Sequence, residues 1–371
     1  MRRFLLVLVA LLAAAPLAAQ RRARPDSLLQ LPLVGTAAER ARFTERWRRG
    51  DRMRSRALYE AYLDSIGANG IIASIRSVAP SCHDEGHELG KAIFARLRDV
   101  NLAFRACDDA CNSGCMHGVV TEFFAAAGAA SASGGAHAHH APSSSGAAPP
   151  TLGAADIRRA IAGVCNAPTR AQMYLLGDCA HGVGHAAMFL TRMNVDSAVT
   201  LCELFGTHAL RFYCASGAYM EHRLQRADAE YATRGPFYPC DRAAYPAACF
   251  RYKLVSTFAK HYRAGRPMAE IATGCLAMAR RFRLGCFHGI GNAHMGFVAQ
   301  GRVSLASVCR HGDADDRQAC IEGVMERLGK FHPTVVAARC GVLTGRERTV
   351  CTEAAARKMY DLERSFALYP R

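Results

Sequence analysis

The sequence predicts an all-α protein: a solenoid of about eight antiparallel helix hairpins, each about 35 residues long and stapled by a disulfide. Three observations predict it. Sixteen cysteines fall in successive couples, and the second member of each couple recurs at a near-constant interval. Between them, apolar residues repeat at helical spacing, with few segments showing strand alternation. A chain of 371 residues, 50% hydrophobic and 21% charged, is ample for a packed core, which excludes wholesale disorder.

The elements follow in chain order. Met1, Arg2 and Arg3 are a short basic region, Phe4 to Leu17 an apolar stretch, and Ala18 and Ala19 supply small residues for cleavage. Residues 1–20 therefore read as a secretory signal peptide, shorter than the roughly 20 apolar residues of a spanning helix. No cysteine precedes Cys82, so a lipid anchor is not expected, and no later segment reaches transmembrane length without charges. The expected location is periplasmic or secreted, where disulfides persist. Residues 21–56 form a basic leader, with eleven arginines against Asp26, Glu39, Glu45 and Asp51, and the single tryptophan, Trp47. It reads as a solvated leader and first helix, with weak contact to an anionic envelope surface as the functional alternative. The net charge of +16 comes mostly from arginine, with only five lysines; that is a compositional bias, and no nucleic-acid partner is expected.

The ruler begins at Cys82. The second cysteines open a recurring phrase: Cys115-Met-His-Gly, Cys179-Ala-His-Gly, Cys214-Ala-Ser-Gly, Cys286-Phe-His-Gly and Cys320-Ile-Glu-Gly, with weaker copies at Cys82, Cys249 and Cys351. Their intervals are 33, 64, 35, 35, 37, 34 and 31 residues. The outlier contains residues 126–153, a low-complexity Ala/Gly/Ser/Pro tract expected to be a linker; its His137, His139 and His140 read as incidental to a spacer. Repeats one and two then occupy 57–125, repeats three to eight 154–362, and a tail 363–371.

Within a unit, a capped short helix ends in the first cysteine and a second helix opens around the next, as in Val303 to Cys309 followed by Asp313 to Leu328. A disulfide at that turn closes the hairpin. The expected pairs are Cys165–Cys179, Cys202–Cys214, Cys240–Cys249, Cys275–Cys286, Cys309–Cys320 and Cys340–Cys351. The four N-terminal cysteines allow three connectivities; analogy with the other couples favours Cys107–Cys115, leaving Cys82–Cys111. Each staple contributes on the order of 3 kcal/mol and offsets the roughly 1 kcal/mol that each helical glycine costs.

A period of 34–36 residues with disulfide-clipped helix pairs resembles the cysteine-rich Sel1-like and tetratricopeptide class of exported repeat proteins. The resemblance lies in architecture over about residues 57–360, and no consensus residues of those families can be placed. It implies a curved array with a concave face and a protein or peptide partner.

Histidine placement is the sharpest functional cue. His83 and His87 are four apart, as are His181 and His185, so each couple shares one helix face. Two and six residues beyond the second cysteine, the columns read His117/Thr121, His181/His185, Ser216/Met220, His288/Asn292 and Glu322/Glu326, with Glu122, His222 and His294 close by. In a solenoid such columns stack, presenting His83, His87, His117, Glu122, His181, His185 and His288 as candidate metal ligands. Neutral imidazoles with a carboxylate suit a divalent transition metal such as zinc, copper, nickel or iron. The competing reading makes Cys-x-His-Gly a packing signature and Glu322/Glu326 a solvated helix face.

Other chemistries find little footing. His83-Asp-Glu-Gly-His87 departs from the metalloprotease HExxH, and Gly182-Val-Gly184 lacks the βαβ context of a dinucleotide site. No CxxC occurs, which excludes a thioredoxin pair and covalent c-type haem attachment; no P-loop, GxSxG or catalytic triad pattern appears. Three functions stay in view: an exported binding scaffold with a His-lined face, a metal-dependent enzyme centred on His83, His87, His181 and His185, and a purely structural interaction array. One motif repeated across units favours the scaffold over the enzyme, because enzymes concentrate their catalytic groups.

Overall fold

A computed structural model describes residues 35–50, 56–79, 82–107, 110–132, 155, 159, 165 and 173–357. Among these residues every regular element is a helix, and no helix is long and apolar enough to cross a membrane. The signal peptide, His137, His139, His140 and the tail 363–371 lie outside the described residues. The chain divides into two compact units, through Val119 and from Val120.

The first unit opens with α1 (Ala37–Arg49), started by a capping box in which Thr36 and Glu39 satisfy each other's backbone amides. Its arginines face water, but Phe43 and Trp47 are buried, and the Trp47 Nε1–H donates to the Tyr59 hydroxyl at 3.3 Å. Within the stretch read as a solvated leader and first helix, residues 37–49 are thus a helix docked by two aromatic residues four apart, whose burial outweighs the charge around them. Helix α2 (Arg56–Arg76) packs against α1 and against α3 (His83–Leu97), and is broken at Gly67, whose φ of 67° only glycine adopts freely. Then come α4 (Val100–Arg105), a 3₁₀ turn (Ala110–Ser113) and α5 (Gly114–Ala132), which runs on into the second unit. The helix covers residues 126–132 of the expected linker, because their alanines favour helix strongly.

In the second unit the long helices are α6 (Met173–Leu190), α8 (His208–Arg234), α9 (Pro246–Arg263), α11 (Arg280–Ala299), α13 (Ala314–Phe331) and α15 (Gly345–Ala356). Each packs on the next in that order. Short helices α7 (Val195–Cys202), α10 (Met268–Leu276), α12 (Leu305–Val308) and α14 (Val336–Cys340) precede α8, α11, α13 and α15. Phe212, Phe250, Phe287, Ile290, Val324 and Leu328 fill the core.

Eight disulfides join Cys82–Cys111, Cys107–Cys115, Cys165–Cys179, Cys202–Cys214, Cys240–Cys249, Cys275–Cys286, Cys309–Cys320 and Cys340–Cys351, and no free thiol remains. In four of them the short helix ends at its cysteine or one residue before or after it, and the partner lies in the first turns of the next long helix. That content of disulfides belongs to an oxidising, extracellular-type environment.

Glycine sets the helix spacing. A Cβ on Gly217 would stand 1.9 Å from the His181 carbonyl oxygen, and one on Gly184 1.9 Å from that of Cys214. The α6 and α8 backbones therefore touch at this crossing, leaving no room for any side chain larger than hydrogen.

Candidate metal centre

In the first unit, α3 begins with His83 and carries His87 one turn later, while α5 brings His117 opposite them. One ligand nitrogen from each of these three histidines lies within 4.8 Å of the others. The Nε2 atoms of His83 and His87 are 3.1 Å apart, and the three rings meet edge to face with centroids 4.6–5.5 Å apart. His117 is buried, and His83 and His87 are half-buried.

The backbone fixes the orientation of His83. Its Nδ1–H donates to the Cys111 carbonyl at 3.0 Å, which leaves Nε2 as the lone-pair nitrogen facing His87. Cys111 sits in a left-handed conformation, φ 55°, inside the 3₁₀ turn, and its disulfide to Cys82 anchors that turn to the residue preceding α3. A backbone carbonyl that orients a ligating imidazole is the usual outer shell of a histidine metal site.

The second unit carries a related arrangement on α6. The Nε2 atoms of His181 and His185 are 3.2 Å apart. His185 Nδ1 lies 2.9 Å from Glu221 Oε2, and donates to it. His181 Nδ1 lies 2.7 Å from the Ser216 Oγ, whose own proton is committed to the Tyr213 carbonyl at 2.7 Å. Ser216 must therefore accept, so His181 also carries its proton on Nδ1. Both Nε2 lone pairs point at one another, an arrangement that a proton or a metal cation between them stabilises. His185 is fully buried and Glu221 nearly so.

The remaining candidates have different surroundings. Glu122 is half-buried and five residues beyond His117, about 140° around α5, so it does not share that histidine's face. His288 is fully buried with Nε2 3.2 Å from Glu326 Oε2. Glu322 and Glu326 do not lie on a solvated face: Glu322 is fully buried between Gln318 (2.9 Å) and Arg357 (3.3 Å), and Glu326 is ion-paired to buried Arg251. His294 donates from Nδ1 to the Ile290 carbonyl and accepts at Nε2 from the Tyr262 hydroxyl; burial holds its pKa below the usual histidine range, as expected of a neutral, structurally bonded ring.

Sequence reasoning missed Ser216 as a partner of His181, although it occupies the histidine position of its own Cys214-Ala-Ser-Gly phrase. It also missed Glu221 and Arg251. No family model, curated protein or solved structure matches the chain.

Proposed function

We propose that the protein is an exported, disulfide-clipped array of helix hairpins that binds a transition metal through the Nε2 atom of His83 together with His87 and His117. The reading rests on one observation: three imidazoles converge within 4.8 Å, one of them locked into the metal-ready tautomer by the Cys111 carbonyl. Nitrogens sharing a tetrahedral zinc are about 3.3 Å apart, close to the 3.1 Å separating His83 and His87. An all-imidazole set favours zinc, copper or nickel over hard cations. His181 and His185, backed by Ser216 and Glu221, offer the same chemistry on α6 of the second unit.

A metal-dependent enzyme is the second reading. Three histidine ligands leave a tetrahedral position for water, as in catalytic zinc sites, and the bound metal would lower the pKa of that water. The test is metal analysis of the oxidised, full-length protein after titration with zinc, copper or nickel. About one equivalent or more should bind tightly to the wild type, and the His83→Ala, His117→Ala double variant should lose it. Protein that retains no metal and unfolds identically with and without chelator would sink both readings. A hydrolytic activity that chelator abolishes would move the assignment from scaffold to enzyme.

A further inference from the structure

Within the second unit the helices α6, α8, α9 and α11 run parallel, because contacting positions rise together across each interface. His181 meets Ser216 and His185 meets Glu221 between α6 and α8. Tyr213 faces Arg251 and Arg223 reaches Ser256 between α8 and α9. Between α9 and α11, Phe250 touches Gly289 and Phe258 packs on His294. The C-terminal ends of these helices therefore share one rim. Three of them, α6, α9 and α11, close in the same Schellman turn. The amides of Met193, Arg266 and Arg302 donate to the carbonyls of Met188, His261 and Phe297, and those of Arg192, Gly265 and Gly301 to Phe189, Tyr262 and Val298.

Each of these turns leaves an aromatic ring in solvent. Phe189 is 49% exposed, Tyr262 52% and Phe297 39%, and no other aromatic residue is exposed among the described residues. Phe189 and Tyr262 hold the same position of the turn and Phe297 the one before it. The α9 and α11 rings adjoin through His294, whose centroid lies 6.4 Å from that of Tyr262 and 6.3 Å from that of Phe297. The Arg302 guanidinium lies 5.2 Å from the Phe297 centroid, and Arg263 directly follows Tyr262. Arg192, three residues after Phe189, holds a left-handed φ of 53° where α9 and α11 place Gly265 and Gly301. Arg192, Arg263 and Arg302 are exposed and have no ion-pair partner among the described residues. The short helices that follow bring Asp196 and Glu270 to this rim, and Glu270 is taken by Arg266 at 2.7 Å. On the opposite rim arginines are matched across helices: Arg280 with Asp315 at 2.7 Å, Arg283 with Asp313 at 2.8 Å and Arg317 with Glu347 at 2.9 Å.

The negative end of a helix attracts cations, which accounts for arginines at these termini but not for a solvent-facing ring on each. Exposed rings gathered on one edge mark a surface that meets a partner. Rings interspersed with uncompensated guanidinium groups match an interface that is anionic at its surface and apolar just beneath. Their spread from α6 to α11 covers three helix spacings of about 8–10 Å each, an extent that suits a surface better than a single peptide strand. We propose that this rim docks the protein on an anionic lipid surface, with Phe189, Tyr262 and Phe297 entering the headgroup boundary and Arg192, Arg263 and Arg302 pairing with lipid phosphates. The proposal goes beyond the metal reading and shares no residue with it.

The test sediments full-length, oxidised protein with vesicles of phosphatidylcholine alone or mixed with phosphatidylglycerol, at low and high salt. Partition onto the anionic vesicles should exceed that onto neutral ones by at least about tenfold at low salt, and the excess should vanish at high salt. Two double variants address the rim: Phe189→Gln with Phe297→Gln for the rings, and Arg192→Gln with Arg302→Gln for the charge. Each should lower partition onto anionic vesicles at least about fivefold. The control is Leu276→Gln with Val342→Gln, which removes exposed apolar side chains beside the disulfides of the opposite rim and should bind as wild type does. All these positions are exposed, so the variants should unfold at the wild-type denaturant midpoint, which verifies that the fold is intact. Equal binding to both vesicles, wild-type binding by either rim variant, or an equal loss in the control would overturn the proposal. Rim-dependent capture of polyglutamate without vesicle binding would also overturn it, giving the rim to an acidic protein partner.

Discussion

Replacing Gly217 by alanine tests how the second unit is held together. The new Cβ would stand 1.9 Å from the His181 carbonyl oxygen, whereas ordinary contact begins near 3.4 Å, so the α6 and α8 backbones must part by up to about 1.5 Å there. The opposing contact, Gly184 against the Cys214 carbonyl, is equally tight, so the crossing has no slack on either side. Overpacking of this kind costs about 1–3 kcal/mol and sometimes more, against at most about 1 kcal/mol gained in helix propensity. The expected net loss is about 1–2 kcal/mol. Gly296, in α11 of the same unit, has nothing within 4 Å of an added Cβ, so Gly296→Ala should stabilise by about 0.5–1 kcal/mol. Because both glycines belong to the second unit, guanidinium unfolding with disulfides intact, followed by far-ultraviolet circular dichroism, reports one transition for both. Gly217→Ala within about 0.5 kcal/mol of wild type, or shifted in the same direction as Gly296→Ala, would refute the close-crossing argument.

Two further outcomes are expected. Replacing Cys82 and Cys111 together by serine frees the turn whose carbonyl orients His83, so zinc affinity should fall about 10–100-fold in competition with a chromophoric chelator; unchanged affinity would show that the disulfide does not position the ligand. Arg251→Met strips the counter-ion from buried Glu326 and should cost about 3–5 kcal/mol at pH 7. Burial raises the Glu326 pKa, but Arg251 and His288 outweigh it and hold the carboxyl below its usual range, so its contribution in the wild type is present above the unfolded carboxylate pKa and lost as pH falls. In the variant, protonation instead relieves the buried charge, so the deficit should shrink between pH 7 and pH 4; a deficit independent of pH would mean that Glu326 is not the group left exposed to desolvation.

Cysteine couples 9 to 14 residues apart were legible because hairpin closure is local: spacing alone brings the two positions together. The histidine couples were legible for the same reason, four residues being one helical turn. What escaped was set by the following helix. His181 finds Ser216 35 residues on, and His185 finds Glu221 36 residues on; periodicity locates such a partner but does not say which side chain answers. Glu322 and Glu326 are the instructive failure. They occupy the offsets held by His288 and Asn292 one phrase earlier, and those residues are buried too, so the column faces inward whatever its charge. Carboxylates at inward positions require cations, which is how Arg251 enters the interior and why half-buried Arg357 reaches in to Glu322.

The phrase Cys-x-x-Gly also bears on the histidines through the backbone. Gly118 meets the His87 carbonyl, Gly217 that of His181, and Gly323 that of His288, each at about 2 Å from where a Cβ would lie. In return Gly90, Gly184 and Gly291, each three residues after one of those histidines, meet the carbonyls of Cys115, Cys214 and Cys320. A His-x-x-Gly helix is thus clasped by a Cys-x-x-Gly helix three times, with the disulfide pinning the second helix beside the contact. The reading of this phrase as packing and its reading as ligand display therefore do not compete. Glycine brings the main chain of the histidine helix to a position no other residue permits, and the imidazole projects from a backbone that cannot shift without separating the pair. Ligands held this way lose little further freedom on binding a cation, which is the condition under which a small set of neutral donors binds tightly. The same rigidity predicts that a glycine variant at Gly118 weakens the metal site in proportion to the displacement of His87, even though Gly118 carries no donor atom.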